Sequence, residues 1–402
     1  MVISNISLKK DEQFVTLSAD IAFRNKATQQ AYFMVLRNYE TFVIDDATPF
    51  LAAFLVPCMK TRENIYIDDT VSALVLENTN EIMSLLKRSN NDLYKIKIRT
   101  KRTSKNVSNS SYIGSFFEAD VDTFYTYLKE NSKKTPITYF IYAHGLHDYL
   151  QSKDYSLEKE IVINKIAKDQ KMNAIFIETN IGSLIDERLH WNFVYPGSVE
   201  SAALFLNRDF KKIFIPETNK NRSITFDALW STEAMTVQHG KSTHTYSEKI
   251  KQIISKSSLA LKYLHVCSQN TKNGRNCGHC YNCLATMIFL YTSNTLKKAK
   301  TFEKKIDIDH VKKMHINYSK KENILIEKAL EILKRSHIDN ELQKAILYSL
   351  EKNKRPGVLK NAYLHVKSIN LFTNKVKELE GKAKHISTFK TFKKSSLRAL
   401  IK

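Results

Sequence analysis

The sequence predicts an α/β protein: a parallel sheet with helices on both faces, a strand-rich N-terminal lobe and a helical C-terminal extension. Between residues 109 and 300, short apolar runs alternate with segments of helical period, the pattern of a parallel sheet covered by helices. After residue 300 the apolar residues recur three and four positions apart, as in amphipathic helices. Before residue 108, β-favouring runs dominate.

A chain of 402 residues exceeds one ordinary domain, and its hydrophobic content of 43% is sufficient for packed cores. We expect a strand-rich domain over residues 1–108, an α/β domain over 109–300 and a basic helical region over 301–402. The polar stretch KRTSKNVSNSS marks the first boundary. Strands of the first domain are predicted in QFVTLSADIAF, TFVIDD, NIYIDDTVSALVL and YKIKIRT.

The α/β domain is predicted from three strand–helix pairs and one further strand. In chain order these are SYIGSFF with VDTFYTYLKEN, TYFIYAHG with SLEKEIVINKIAKDQ, NAIFIETN with SVESAALFLNRDF, and KKIFIPET. Ligands of such sheets bind beyond the carboxyl ends of the strands, so the residues after Phe117, Gly145 and Asn180 should line one crevice. In the C-terminal region, helices are predicted in ENILIEKALEILKRS and NELQKAILYSLEKN.

The chain is strongly basic, with a net charge of +22, which favours binding to polyanions. The segment Gly381–Lys402 contains no Asp or Glu, and it is either a site for nucleic acid or an acidic protein, or a solvated tail. No stretch approaches the ~20 apolar residues of a membrane span, and the first residues do not resemble a secretion signal. We therefore expect a cytoplasmic protein with no membrane partner.

Four of the five cysteines form a cluster with the spacing of a metal site. Cys277, Cys280 and Cys283 form C-x2-C-x2-C, and Cys267 precedes them across a loop. Four thiolates complete the tetrahedral shell of a structural zinc ion and leave no open position for catalysis. An iron–sulfur cluster and disulfides are the alternatives, although disulfides are disfavoured in a reducing cytosol. Cys58 is predicted to be a small buried residue.

The order of these features resembles a known family. The cysteines follow an α/β segment and precede the predicted helix LATMIFLYTSN, and the family-like stretches are GSFFEADVDTFYTYLKEN, FLVPCMKTRENIYIDDTVS, ITYFIYAHGLHDYL, GSVESAALFLNRDFKKIFIPET and LWSTEAMTVQHG. Over about residues 50 to 350 the chain resembles 7-cyano-7-deazaguanine synthase and its relatives in the PP-loop ATP pyrophosphatase superfamily. The resemblance implies a PP-loop fold that binds ATP and magnesium and adenylates a carboxylate or similar group.

The nucleotide loop departs from the family pattern S-G-G-x-D-S. Glu118, Ala119 and Asp120 replace Ser-Gly-Gly, while Asp122 and Thr123 keep the family's chemistry. A phosphate cradle needs small, flexible residues at a helix N-terminus. The carboxylates are therefore either an acidic cluster that holds a metal ion or a helix cap left after catalysis was lost.

The resemblance also implies the site residues. It places the nucleotide at Ser115, Glu118, Ala119, Asp120, Asp122, Thr123, His144 and Gly145, and it assigns catalytic roles to Asp122, Glu233 and His239. Glu233 and His239 lie in a substrate-side segment that also includes Trp230, Ser231, Thr232 and Gly240. A basic residue that relatives carry after this segment is matched only with altered spacing, by His244 or Lys249.

Three functions are compatible with these patterns. The first is a zinc-binding PP-loop protein with a degenerate ATP loop, acting with the partner proteins of a defence operon in a bacterial modification or antiphage defence system. The second is an active ATP-dependent enzyme that adenylates a carboxylate or a deazapurine-type substrate. The third is a scaffold that binds nucleic acid or a partner protein through its basic C-terminal region.

Overall fold

A computed structural model describes residues 1–354 except 106, 134–135, 147–152, 186–190, 218–225, 241, 243, 268, 270–273, 315–319 and 336–338. The predicted basic site in Gly381–Lys402 therefore lies outside the described residues. Among the helices that the structure describes, none is long and apolar enough to cross a membrane.

One ten-stranded sheet runs through the described chain in the order β10-β9-β6-β7-β8-β3-β2-β1-β4-β5. Adjacent strands are parallel in the segment β10-β9-β6-β7-β8 and in the segment β1-β4-β5. Between these two segments, the pairs β8–β3, β3–β2 and β2–β1 are antiparallel. The predicted α/β class with a mostly parallel sheet is confirmed. The strands are β1 (Val2–Lys10), β2 (Phe14–Ala22), β3 (Gln29–Leu36), β4 (Ile65–Ser72), β5 (Ile98–Ser104), β6 (Ile113–Phe116), β7 (Tyr139–His144), β8 (Asn173–Thr179), β9 (Lys212–Pro216) and β10 (Thr236–Gly240).

Helices cover both faces of the parallel part of the sheet. On β7, Ile141 belongs to one hydrophobic core, while Phe140 and Tyr142 belong to a second core on the opposite face. The helices are α1 (Thr48–Thr61), α2 (Ala73–Ser89), α3 (Val121–Asn131), α4 (Lys153–Asp169), α5 (Ile181–Leu184), α6 (Trp191–Phe205), α7 (Tyr246–Gln252), α8 (Ser258–Tyr263), α9 (Tyr281–Thr292), α10 (Ile308–Lys313), α11 (Lys320–Arg335) and α12 (Asn340–Lys354). All the predicted strand–helix pairs are present, as are both predicted C-terminal helices.

The N-terminal region contains two helices in addition to its strands. The run NIYIDDTVSALVL is β4 only as far as Ser72 and then begins α2, and TFVIDD contains no strand. Helix α1 was not predicted because twelve of its residues are buried, so it has no polar face to give a helical period. The strands of this region join the common sheet through pairing of β3 with β8. The boundary near residue 108 stays a prediction.

One face of the N-terminal strands is open to solvent. Residues of β2 with odd numbers, such as Leu17, are fully buried in the first core, which also contains residues of α1 and α6. On the other face Val2, Leu36 and Tyr66 are 41%, 38% and 45% exposed. Antiparallel sheets commonly have one solvated face, so this openness is compatible with a stable fold.

Gly145 fixes the turn at the carboxyl end of β7. It has a φ of +92°, and a Cβ there would lie 1.6 Å from the backbone oxygen of Thr179. Gly145→Ala should therefore destabilise the protein by at least about 2 kcal/mol, measured by denaturant unfolding. Gly114→Ala is the control, because its Cβ would meet the flexible side-chain tip of Ile141 at 2.7 Å and its φ is not positive. Equal losses for the two variants would contradict the importance of this turn.

Candidate functional site

The four clustered cysteines converge on one point. The Sγ atoms of Cys267, Cys277, Cys280 and Cys283 all lie within 4.8 Å of one another, and those of Cys277 and Cys283 are 3.7 Å apart. A zinc ion with four bonds of about 2.3 Å requires sulfurs about 3.8 Å apart, whereas a disulfide requires about 2.05 Å. None of the four is in a disulfide. This donor set fits a metal ion such as zinc and does not fit disulfides.

Asn276 organises the backbone around the cluster. Its buried Oδ1 accepts hydrogen bonds from the N–H groups of Val266 (2.9 Å) and Cys267 (3.1 Å). Its Nδ2 donates to the carbonyl oxygen of Leu264 at 2.9 Å. One side chain thereby joins the segment of the first cysteine to the segment of the other three, so the sulfur positions are defined by the fold itself.

Close packing of the sulfurs favours the thiolate form of Cys267 and raises the pKa of Cys280 and of Cys283. Hydrogen bonds from Cys280 and Cys283 lower the pKa of the Cys267 thiol, and the same contact with Cys267 raises the pKa of Cys280 to about 12. A cation at the centre would stabilise thiolates at all four positions. Since four sulfurs fill a tetrahedral shell, a bound zinc ion would hold the fold together and would offer no open position to a substrate.

The predicted nucleotide loop lies between β6 and α3. Asp120 is the N-cap of α3 and forms a capping box with Thr123: its Oδ1 accepts from the Thr123 N–H at 2.9 Å, and its own N–H donates to Thr123 Oγ1 at 3.1 Å. The Glu118 N–H also donates to Thr123 Oγ1, at 3.4 Å. The carboxylate of Asp120 therefore lies at the electropositive helix N-terminus, where a phosphate would bind in a nucleotide-binding loop.

Ala119 has a backbone conformation that glycine adopts readily. Its φ is +60°, in the left-handed region, and its side chain is fully buried in the second core. A non-glycine residue in this region costs about 1 kcal/mol. The loop backbone thus has a conformation typical of glycine, but alanine can adopt fewer other backbone conformations than glycine can.

The loop is connected to the segment that leads into the cysteine cluster. The N–H of His265 donates to the carbonyl oxygen of Ala119 at 2.8 Å. Lys159 of α4 donates from Nζ to the carbonyl oxygens of Glu118 at 2.7 Å and His265 at 3.4 Å. Burial lowers the pKa of Lys159. Because His265 is two residues from Cys267, the cysteine cluster and the loop share one backbone support.

A buried ion pair fills the other side of the loop. Lys249 Nζ lies 2.7 Å from Asp122 Oδ1, and their side chains are only 2% and 9% exposed. Burial, together with the charge of Asp120, raises the pKa of Asp122 to about 6, although Lys249 acts in the opposite direction. Of the two basic candidates, Lys249 contacts Asp122, whereas His244 Nδ1 is 2.9 Å from the hydroxyl of Tyr125.

The remaining predicted site residues make structural contacts in other places. Glu233 accepts hydrogen bonds from Ser72 Oγ (2.7 Å) and from the N–H of Leu74 (2.8 Å), at the N-terminus of α2. His239 Nδ1 is 2.6 Å from Asp227 Oδ2, and both side chains are buried. Their proposed contact with substrate stays a prediction. Trp230 is fully buried. Ser231 Oγ accepts from the N–H of Val237 in β10, and Thr232 Oγ1 donates to Asn207 Oδ1 at 2.8 Å.

Three further candidates lie on or next to the central strands: His144, Gly145 and Ser115. The Nδ1 of His144 is 2.6 Å from Ser156 Oγ, and His144 lines a groove of about 590 Å³ between β3, β8 and α4. Gly145 follows at the turn after β7. Ser115 is fully buried inside β6, where its hydroxyl donates to the Phe116 carbonyl oxygen, so it does not lie at a strand end.

Sequence reasoning did not identify Lys159, Asp227 or Asn276 as site residues. Lys159 contacts Glu118 across 41 residues of chain. Asp227 and Asn276 contact residues 9 to 12 positions away, beyond the spacings of a helix turn or a strand. For Lys159, the one local indication was that it lies in a predicted helix among the apolar residues that face the core. No spacing rule relates such a lysine to a loop on another element.

Together the fold and the site define a mostly parallel α/β protein with a four-cysteine site for a metal ion. Comparison of the chain with protein-family models, with curated proteins and with solved structures finds no match.

Replacement of one clustered cysteine should release the metal. We expect Cys280→Ser to lower bound zinc well below one equivalent per chain and to cost at least about 2 kcal/mol of stability, because a structural metal contributes its binding free energy to folding. Zinc content and thermal unfolding with and without a chelator provide the measurement. Cys58→Ser is the control: Cys58 lies in α1, outside the cluster, so the zinc content should not change. A full equivalent of zinc in Cys280→Ser would contradict a four-thiolate shell.

Removal of the Lys249 cation should make stability depend on pH. In Lys249→Met, Asp122 faces only negative charges, so its folded-state pKa should rise further above about 6. A carboxyl with a raised folded pKa stabilises the fold at low pH and loses that contribution as pH rises through the folded value. The variant should therefore lose about 3 kcal/mol at pH 8 and much less at pH 5. Lys251→Met, at an exposed position of the same helix, should show no such dependence in denaturant unfolding.

Proposed function

We propose that this chain is a zinc-stabilised PP-loop-like protein whose altered loop no longer binds ATP, and that it acts through partner proteins. The setting implied by its resemblance to deazaguanine synthase relatives is a bacterial modification or antiphage defence system. In this proposal the cysteine cluster is a structural zinc site, and the α/β sheet is a scaffold.

One observation carries the proposal: three backbone donors of the loop already have acceptors within the loop itself. The N–H groups of residues 118, 120 and 123 donate to side chains of the same loop, and that of Phe117 donates to the Ile141 carbonyl oxygen at 2.9 Å. A phosphate would need these donors and would have to displace the Asp120 carboxylate from the helix N-terminus. Each neighbouring carboxylate would repel a phosphate by roughly 1 kcal/mol or more at about 4 Å.

A specific observation favours the second candidate, an active adenylating enzyme. Ala119 holds the left-handed backbone that a glycine would adopt, so the path of the loop is compatible with a nucleotide cradle. Magnesium could then bridge the phosphates to Glu118 and Asp120. The third candidate, binding through the basic C-terminal region, depends in part on the segment Gly381–Lys402, which lies outside the described chain.

Calorimetric titration with ATP and magnesium distinguishes the first two candidates. We expect no binding by the native protein, and we expect binding by the repaired loop Glu118→Ser/Ala119→Gly/Asp120→Gly, in which the carboxylates are gone and the backbone is free. Binding by the native protein that is lost in Asp122→Ala would instead support the enzyme.

A matched variant distinguishes the effect of the Asp120 charge from the effect of the Asp120 side chain occupying the helix N-terminus. Asparagine caps helices as well as aspartate does, so Asp120→Asn keeps the bond to the Thr123 N–H and removes one negative charge. If repulsion alone excludes ATP, Asp120→Asn should bind it weakly. If the occupied helix N-terminus excludes ATP, only the repaired loop should bind. A repaired loop that is folded but still does not bind would contradict the proposal that the loop substitutions abolished nucleotide binding.

A further inference from the structure

The edge strand β5 and the turn before it carry a concentrated positive charge. Residues 93–105, LYKIKIRTKRTSK, contain six cations and no carboxylate. All six side chains are exposed: Lys95, Lys97, Arg99, Lys101, Arg102 and Lys105. Within the part of the chain that the structure describes, the one ion pair recorded for these residues joins Lys101 to Asp68 at 3.1 Å. This strip is a local excess of positive charge at the border of the sheet.

The cations are arranged in a regular row. Side chains two positions apart on a strand point to the same face, and the strand rises about 3.3 Å per residue. Arg99 and Lys101 therefore lie on the open face of the sheet about 6.6 Å apart, with Lys97 continuing the row beyond the start of β5. A row of this kind can follow a polyanion along its length.

An exposed aromatic ring lies directly beside the row. Tyr66 on β4 is the Cα partner of Arg99 on β5 and of Val2 on β1, so these three side chains share the open face. Tyr66 is 45% exposed and Val2 is 41% exposed. Neighbouring strands lie about 4.8 Å apart, which places the tyrosine within one strand of the cationic border.

Protection of the sheet edge accounts for only part of this arrangement. Lysines on an edge strand prevent pairing with other chains, and that role explains the charges. It does not require a half-exposed tyrosine and valine on the adjacent strands. Next to this border the open face is polar, with Ser4, Thr16 and Asp20, so this part of the face offers little area to an apolar protein partner.

We propose that the β4–β5 border of the open face binds single-stranded nucleic acid. Phosphates would contact Lys97 and Arg99 of the row and the exposed Lys95 in the segment before it, and an unpaired base would stack on the ring of Tyr66. Proteins that bind single strands combine a cationic track with aromatic rings in this way, because every base has a π-face. A duplex keeps its bases paired and stacked, so it would lose the contact with Tyr66.

Binding of a labelled oligothymidylate to the full chain, measured by fluorescence anisotropy across a salt series, tests the proposal. Each phosphate contact contributes about 0.7 to the slope of log affinity against log salt for a single strand. Lys95→Gln/Lys97→Gln/Arg99→Gln should therefore reduce the slope by about 2 and weaken binding roughly 100-fold at 0.1 M salt. Tyr66→Ala should weaken binding about tenfold and leave the slope unchanged, while Tyr66→Phe should bind normally.

A charge-matched variant elsewhere serves as the control. Lys297→Gln/Lys298→Gln/Lys300→Gln removes three exposed cations far along the chain and should keep the native slope. All variants retain the basic C-terminal segment, so its contribution to affinity is common to them. Equal losses in the two triple variants would show that binding is spread over the whole surface. Tighter binding of a duplex, or full affinity in Tyr66→Ala, would also overturn the proposal.

Discussion

The hydrogen bonds between the β6–α3 loop and the segment leading into Cys267 are the constraint on which both candidate sites depend. The His265 N–H supports Ala119, and the Lys159 ammonium supports Glu118, so the loop cannot move independently of the cysteine cluster. On the cluster side, Asn276 fixes the same segment through the N–H groups of Val266 and Cys267. A metal ion held by four sulfurs would thus stabilise the left-handed conformation of a residue on another element.

At the β6–α3 loop, charged groups of the chain itself occupy the place where a nucleotide-binding loop would bind an anion. Two buried lysines approach the loop from α4 and α7: Lys159 donates to the carbonyl oxygen of Glu118, and Lys249 pairs with the carboxylate of Asp122. Removing an ion pair from water costs several kcal/mol per charge unless the partners are close and correctly placed. For Lys249 and Asp122 this cost is offset by a contact of 2.7 Å. The buried carboxylate of the loop is thus paired with one of the chain's own groups.

Sequence patterns predicted those elements whose signal lies within one short stretch of the chain. Alternation of apolar runs identified β6 to β9 with their helices, and the cysteine spacing identified the cluster, because both signals are contained in short stretches. Helix α1 was not predicted because burial on all sides removes the helical period of apolar and polar residues. The pairing of β3 with β8 and the contact of Lys249 with Asp122 join distant segments, and no spacing in the sequence encodes them.

The pairing of β3 with β8 has a consequence for biosynthesis. Tyr32 of β3 donates its N–H to Asn180 just beyond β8, across 148 residues of chain. At translation rates of about 5–20 residues per second, the ribosome needs on the order of 10 s to produce that partner. During this interval β3 is an unpaired strand edge, which can associate with other nascent chains. Slow codons between the two strands would lengthen the exposure, so the yield of soluble protein should depend on the speed of elongation through this segment.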